Sequence, residues 1–376
     1  MGIEICTPCY VVDEAKIEEN CKILRAVMDE TGAKILLAQK AFSMYALYPM
    51  IGAYLSGAAS SGLYEARLAR EHFAGESHVF SAAFRPDDFP EILAYSDVII
   101  FNSVTQLKQY GAMARAAGVS VGLRVNPEHS TQEGSGIYDP CAPGSRLGVT
   151  LAEFDAALLP MLDGIHFHTL CEQDAAPLVE TVAAFEAKFG QFLKDLKWLN
   201  LGGGHHITRD GYDIEALTTC ILGLKTRYDG IDVYLEPGEA IALNAGALYT
   251  TVLDIVTNGA TQIAILDASA ACHMPDVIEM PYRPPLKNSG AAGEFAHTYR
   301  LAGPTCLSGD VIGDYSFELP LSIGDVLQFE DMAIYTMVKN NTFNGMPLPC
   351  IALRTKDGDM QVIRSFDYDE FKRRLS

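Results

Sequence analysis

Positive charge is scarce in this chain of 376 residues: 28 Lys and Arg face 48 Asp and Glu, a formal charge of −20 at pH 7. Nucleic acid and anionic membrane both attract Lys/Arg patches, so neither is an expected partner, whereas a cationic small molecule suits the balance. Long apolar runs are missing as well. None approaches the roughly 20 residues that span a bilayer. The segment "MGIEICTPCYVVDEAK" lacks the basic stretch and apolar core of a secretory signal, so the expected location is cytoplasmic. Paired CxxC elements are absent too, and the nine scattered cysteines are an odd number. Neither a disulfide framework nor a structural zinc site is expected, and the thiols are read as reduced. What the chain does have, 49% hydrophobic and 20% charged residues, suits a folded protein with a large core.

Short apolar runs recur eight times: "KILLAQ" (34–39), "YLSGAAS" (54–60), "SHVFSA" (77–82), "DVIIFN" (97–102), "VSVGLRVN" (119–126), "GIHFHT" (164–169), "KWLNLGGG" (197–204) and "IDVYLEPG" (231–238). Between most of them lie segments such as "SVTQLKQYGAMARAAG", with apolar residues every three or four positions. Eight alternations of strand and helix predict an α/β fold, a (β/α)8 barrel whose parallel strands are buried on both faces. The connection after the fifth run, "PEHSTQEGSGIYDPCAPGSRLG" (127–148), is rich in Gly, Pro and Ser and is expected to be a long loop, functional or flexible. Beyond about residue 240, β-branched alternation and Gly turns replace helical periodicity, which predicts a β domain. The expected division is a barrel over 25–240 and a β domain made by 1–24 with 241–376.

In such a barrel the chemistry gathers at the C-terminal strand ends and the loops that follow. Lys40 follows the first strand, His166 and His168 end the sixth, Gly202, Gly203 and Gly204 follow the seventh, and Glu236 ends the eighth. Singly, each has a structural explanation: a lysine reaching for water, a packed histidine, a turn, a strand stopped by "EPG". Together on one rim they suit pyridoxal 5′-phosphate. A lysine supplies an amine for its aldehyde, and glycine N–H groups approach its phosphate closely. A histidine stacks on its ring, and a carboxylate holds its pyridine nitrogen protonated. Metal binding by His166 and His168 is the rival reading. Their rings are expected on opposite faces of the strand, so no metal site is predicted.

Lys40 in "LAQKAF", His168 in "HFHT", "GGG" at 202–204, "EPG" at 236–238, "GPTCLSGDV" at 303–311 and "MAIYTMVKNNTFNG" at 332–345 occur in an order that spans nearly the whole chain. This order resembles the fold-type III, alanine-racemase-fold pyridoxal phosphate decarboxylases. Within that family, "GIHFHTLCEQ", "EPGEA" and "ACHMPDVIEMPYRPPL" look most like the members that decarboxylate carboxynorspermidine or carboxyspermidine to norspermidine or spermidine in polyamine biosynthesis. The resemblance implies a cofactor-binding barrel, a C-terminal β domain and a head-to-tail homodimer with two active sites at its interface. It implies that Lys40 bonds the cofactor, His168 stacks on its ring, and Glu236 contacts its pyridine nitrogen. Gly202, Gly203, Gly204 and Tyr335 would hold the phosphate, with Gly238 among the cofactor contacts. Cys306 would arrive from the partner subunit near the reacting carbon, and Asp310 near a substrate amine.

Many members carry arginine after "EPG", where it contacts phosphate or a substrate acid; this chain has Glu239. An anion there disfavours a distal carboxylate and favours a distal ammonium, so a polyamine-type substrate is expected over diaminopimelate. Glu239, Asp276, Arg283 and Asp310 are the expected substrate contacts, and Arg283 could instead face phosphate or the departing carboxylate. Three alternatives stand beside this reading: a racemase of basic amino acids, a decarboxylase of ornithine or lysine, and a non-catalytic cofactor-binding regulator. The presence of both Cys306 and Asp310 favours an enzyme.

Overall fold

The computed structural model describes residues 6–132 and 136–376. Contacts divide the chain into two units: Glu18–Ile241, and the described residues up to Ile17 together with Ala242–Ser376. Strand β1 (Cys9–Asp13) belongs to the second unit. The first holds β2 (Lys34–Ala38), β3 (Gly57–Ser60), β4 (Glu76–Ser81), β5 (Val98–Phe101), β6 (Ser120–Arg124), β7 (Gly164–His166), β8 (Trp198–Asn200) and β9 (Asp232–Leu235). These pair in parallel in chain order, and β9 closes on β2. The eight-stranded barrel is the architecture expected, each apolar run supplying one strand.

Runs such as "VIIF" in β5 are buried at every position, because helices cover the outer face while side chains fill the inside. The helix Val104–Ala116 shows how the cover is built. Ser103 caps it by accepting the Gln106 N–H, and Leu107, Tyr110, Gly111 and Ala114 form its buried stripe. Inside, the barrel is filled unevenly. Trp198 lies over β6 and β7, where a Cβ on Gly122 would sit 2.3 Å, and one on Gly164 2.0 Å, from the indole. Two glycines therefore make room for one large ring, which packs with Leu36, Val98, Ile100 and Tyr234. The connection after β6 forms short 3-10 turns at Gly136–Tyr138, Leu151–Glu153 and Ala156–Met161. Part of the loop expected over 127–148 lies outside the described residues.

The second unit is built on a nine-stranded sheet among the described residues. β1 pairs antiparallel with Gly246–Asn258 and parallel with Cys350–Arg354. One face buries Tyr10, Tyr299, Tyr315, Phe317 and Phe329 in a single cluster. No helix among the described residues is long and apolar enough to cross a membrane.

Candidate active site

The end of β2 becomes a site because Gln39 anchors the turn that follows. Its N–H donates to Ala59 O at 3.0 Å, and its side-chain amide donates to Ser60 Oγ at 2.8 Å and Glu65 O at 2.9 Å. Tyr48 OH donates to Gln39 Oε1 at 2.8 Å. The neighbouring Lys40 is thereby presented to the barrel mouth, where solvent reaches it. "EPG" packs against the same turn: Ala38 N–H donates to Pro237 O at 3.1 Å, and a Cβ on Gly238 would meet Ala41 Cβ at 2.5 Å. Gly238 is thus required by close packing.

Lys40 Nζ lies 3.5 Å from His168 Nε2. His168 Nδ1 accepts the Gly203 N–H at 2.8 Å, so a neutral ring carries its proton on Nε2, directed at the lysine. That contact suits an unprotonated amine. Protein packed closely around Lys40 lowers its pKa and Arg124 lowers it further, while Glu236 opposes both. His168 is held well below the ordinary histidine range by burial and by the charges of Lys40 and Arg124. Burial pushes the Glu236 carboxyl upward, yet contacts with His166, the charge on His78 and the Asn200 amide bring it down to about 2. It is therefore an anion at neutral pH. Asn200 Nδ2 donates to Glu236 Oε1 at 2.7 Å, and Glu236 N–H donates to Gly202 O at 2.8 Å.

The three glycines are needed for a different reason from the one expected. A Cβ would lie 2.5 Å from Phe167 O at Gly202, 2.2 Å from Glu236 O at Gly203 and 2.0 Å from Leu170 O at Gly204. Gly202 and Gly204 also adopt φ of 70° and 85°. The Gly202 N–H donates to Asn200 Oδ1 at 2.8 Å, and the Gly203 N–H is held by His168. The triple glycine is a close-packed junction between the ends of β7, β8 and β9, in which the Gly202 and Gly203 N–H groups already have partners within the protein.

His166 and His168 do not face opposite ways. Residues two apart along an extended chain share a face, and both rings turn inward, His166 toward Glu236 and His168 toward Lys40. Among the described residues no group of three or more His, Cys, Asp or Glu is placed to hold a metal ion. Glu239 is not a lone anion awaiting an ammonium: His206 Nε2 lies 2.6 Å from its Oε2. Reading the sequence missed this partner, and it missed Arg124. Arg124 is 4% exposed, donates to His168 O at 2.9 Å and lies over Phe80 at 4.7 Å. Burial lowers its pKa to about 10. An arginine inside "VGLRVN" was the signal available.

In the sheet unit the three expected substrate contacts, Asp310, Asp276 and Arg283, each have partners within the protein. Asp310 is 2% exposed and accepts from Ser269 Oγ at 2.9 Å, Thr305 Oγ1 at 2.7 Å and Ala271 N at 3.2 Å. It ties two loops together. Asp276 pairs with Lys339, which also reaches Glu279 at 2.6 Å. Arg283 donates to Gly290 O at 3.2 Å and lies 4.7 Å over the Tyr315 ring. Cys306 is exposed, and its N–H donates to Asn344 Oδ1 at 2.9 Å. Tyr335 has a φ of 56°, a left-handed backbone that a bulky residue adopts only under constraint.

The barrel mouth fits pyridoxal 5′-phosphate. A lysine with a lowered pKa, an ionised carboxylate and a turn of three side-chain-free residues converge there. A family model described as pyridoxal-dependent decarboxylase, C-terminal sheet domain, matches residues 9–333. The chain belongs to the pyridoxal-dependent decarboxylases. A carboxynorspermidine/carboxyspermidine decarboxylase of Campylobacter jejuni is 41% identical, the match covering 99% of each chain. A carboxyaminopropylagmatine decarboxylase of Synechocystis is 40% identical over 98% of this chain and 95% of its own. The crystal structure of carboxynorspermidine decarboxylase from Campylobacter jejuni complexed with norspermidine superposes with a TM-score of 0.91 at 40% identity, covering 98% of this chain and 100% of that one.

Proposed function

We infer that this enzyme decarboxylates carboxynorspermidine and carboxyspermidine, releasing norspermidine and spermidine. One observation carries the reading: 41% identity, end to end, to a relative with that activity in its name. When bound, pyridoxal 5′-phosphate supplies an aldehyde that condenses with amines and a ring that draws off the electron pair of the breaking C–C bond.

The chain's own residues do the rest. Lys40, held toward its amine form, is the residue that would hold the cofactor through its amine. His168 orients Lys40 through Nε2–H and would pack on the cofactor ring. Glu236, ionised, would hold the proton of the pyridine nitrogen, and Arg124 keeps the loop of His168 in place through its bond to His168 O. Cys306 of a second copy would supply the proton that takes the place of CO2, a role that calls for a homodimer. Asn344 fixes the backbone from which that thiol projects. The Gly204 end of the glycine turn would hold the phosphate. The acidic charge of the chain attracts the polyamine.

The Synechocystis relative favours a second reading, in which the far end of the substrate is a guanidinium. Both are tested by mass spectrometry of single-turnover products from carboxynorspermidine, carboxyspermidine, carboxyaminopropylagmatine, ornithine, lysine and meso-diaminopimelate, with Lys40→Ala alongside. Loss of CO2 from the first two, absent in the variant, is the expected result. Turnover of only the agmatine derivative, or only of a simple amino acid, would overturn the substrate assignment and leave the family intact.

A further inference from the structure

Beneath the rim, the barrel axis carries a stack of titratable groups that the proposed chemistry leaves unused. His78 on β4 and His166 on β7 are 1% and 2% exposed. Both ring nitrogens of His166, and Nδ1 of His78, are buried without a hydrogen-bond partner. Buried polar atoms are nearly always paired, so three orphans inside one barrel require an explanation. His166 lies against the catalytic carboxylate. Its Nε2 is 3.5 Å from Glu236 Oε2, a few tenths of an ångström beyond a hydrogen bond. The ring is held by stacking on Phe80 at 5.7 Å. Because Oε1 already accepts from Asn200, His166 meets the oxygen that lacks a side-chain donor.

His78 is anchored from the closed end of the barrel. Its Nε2 is 2.9 Å from Glu76 Oε2, which also accepts from the Tyr234 hydroxyl at 2.9 Å. Lys34 Nζ holds the other oxygen at 2.9 Å, and the His78 ring tilts on Tyr234 at 4.8 Å. A column of hydrogen bonds thus joins Lys34 and Glu76 to His78, and His166 lies beside the Glu236 carboxylate.

We propose that His166, backed by the His78–Glu76 pair, is a positioning residue for Glu236, whose Nε2–H on Oε2 fixes the carboxylate's rotation and keeps it ionised. The proposal rests on reading Glu236 as the carboxylate that faces the cofactor. The charged and titratable groups facing Glu236 are Lys40 after β2, His78 on β4, Arg124 on β6 and His166 on β7. Lys40 and Arg124 remain when His166 is replaced, so its share is separable. Burial works against the charge, and removing the donor lets the carboxyl take up a proton at higher pH.

The test compares His166→Leu with His166→Gln, whose amide can restore a donor near the Nε2 position. In the cofactor-free protein, infrared difference spectra against the matching Glu236→Gln protein follow ionisation of Glu236 as pH falls. We expect His166→Leu to move the midpoint up by at least one pH unit and His166→Gln to reverse most of that. In the loaded enzyme, kcat for His166→Leu falls at least tenfold with KM within twofold, and the acid limb of the kcat profile moves up with the infrared midpoint. Borohydride still traps the cofactor on Lys40. An unshifted infrared midpoint and acid limb would overturn the positioning role, whatever the turnover. A shifted midpoint with an unaltered pH profile and cofactor absorbance would instead overturn the placing of Glu236 at the cofactor. Should circular dichroism show His166→Leu unfolded, His78→Asn takes its place: a raised midpoint supports the column, and an unchanged one overturns it.

Discussion

Asp310 shows how much a single buried carboxylate can organise. Three neighbours donate to it, and it joins the turn at Ser269 to the segment that carries Cys306. Replacing it with alanine strands those donors in the interior. Breaking a buried charge-assisted network of this kind costs ~2–4 kcal/mol. Urea unfolding of Asp310→Ala should show that loss, and iodoacetamide should modify Cys306 at a changed rate because its loop is no longer fixed. Lys40 stands at the opposite extreme. Few contacts depend on it, so Lys40→Ala should fold with its melting temperature nearly unchanged while decarboxylation falls by ~10³-fold or more, as for other nucleophile deletions. Steady-state CO2 release checks the second statement. "GPTCLSGDV" told that Asp310 mattered, but an aspartate binding an amine and an aspartate binding two loops look the same in one dimension. The same holds for Asp276 and Arg283, whose partners Lys339 and Tyr315 lie 63 and 32 residues away in the chain.

Among the elements, glycines decide which strands can meet. The β7 strand carries Gly164 where the face of Trp198 lies, with no space for a methyl group. Gly164→Ala forces either the indole or the strand to move, an overpacking cost of about 1–3 kcal/mol or more, readable as a lower urea midpoint at constant slope. Gly203→Ala is a different experiment. Its Cβ would collide with the carbonyl oxygen of Glu236, so the end of β9 shifts, and Glu236 with it. Cofactor affinity, measured by absorbance titration of the cofactor-free protein, should weaken at least tenfold even where the barrel still folds. The strands themselves were legible, because a doubly buried parallel strand must be apolar throughout. The reason for the glycines was not, since backbone approach between strand ends leaves no periodic mark.

At the scale of the whole molecule, each unit buries a histidine that folding keeps neutral. Burial lowers the pKa of His205 to about 4 and that of His273 to about 4, against about 6.5 in an unfolded chain. A depressed histidine pKa contributes stability that is whole above pH 6.5 and is lost as pH falls toward 4, because the unfolded chain takes up the proton first. At pH 5 the loss is on the order of 2 kcal/mol per histidine, at 1.36 kcal/mol per pH unit. Glu76 and Glu236, both held near 2, add a second loss between roughly pH 4.5 and 2. Melting temperatures should therefore drop by several degrees between pH 7 and 5. His205→Asn should flatten part of that slope, and a profile already flat in the wild-type protein would contradict the burial argument.

The sequence by itself determined the barrel, the sheet that follows it, and the rim positions of Lys40, His168, the triple glycine and Glu236. Those features follow from local physics: apolar runs demand burial on both faces, and parallel strands deliver the residues after their C-terminal ends to one rim. Only the tertiary structure decided which polar groups were already engaged. It gave Glu239 to His206, Asp310 to Ser269 and the Gly203 N–H to His168. Each of these pairings joins segments distant in the chain, and a hydrogen bond is fixed by distance and angle, which chain closure sets and residue order does not.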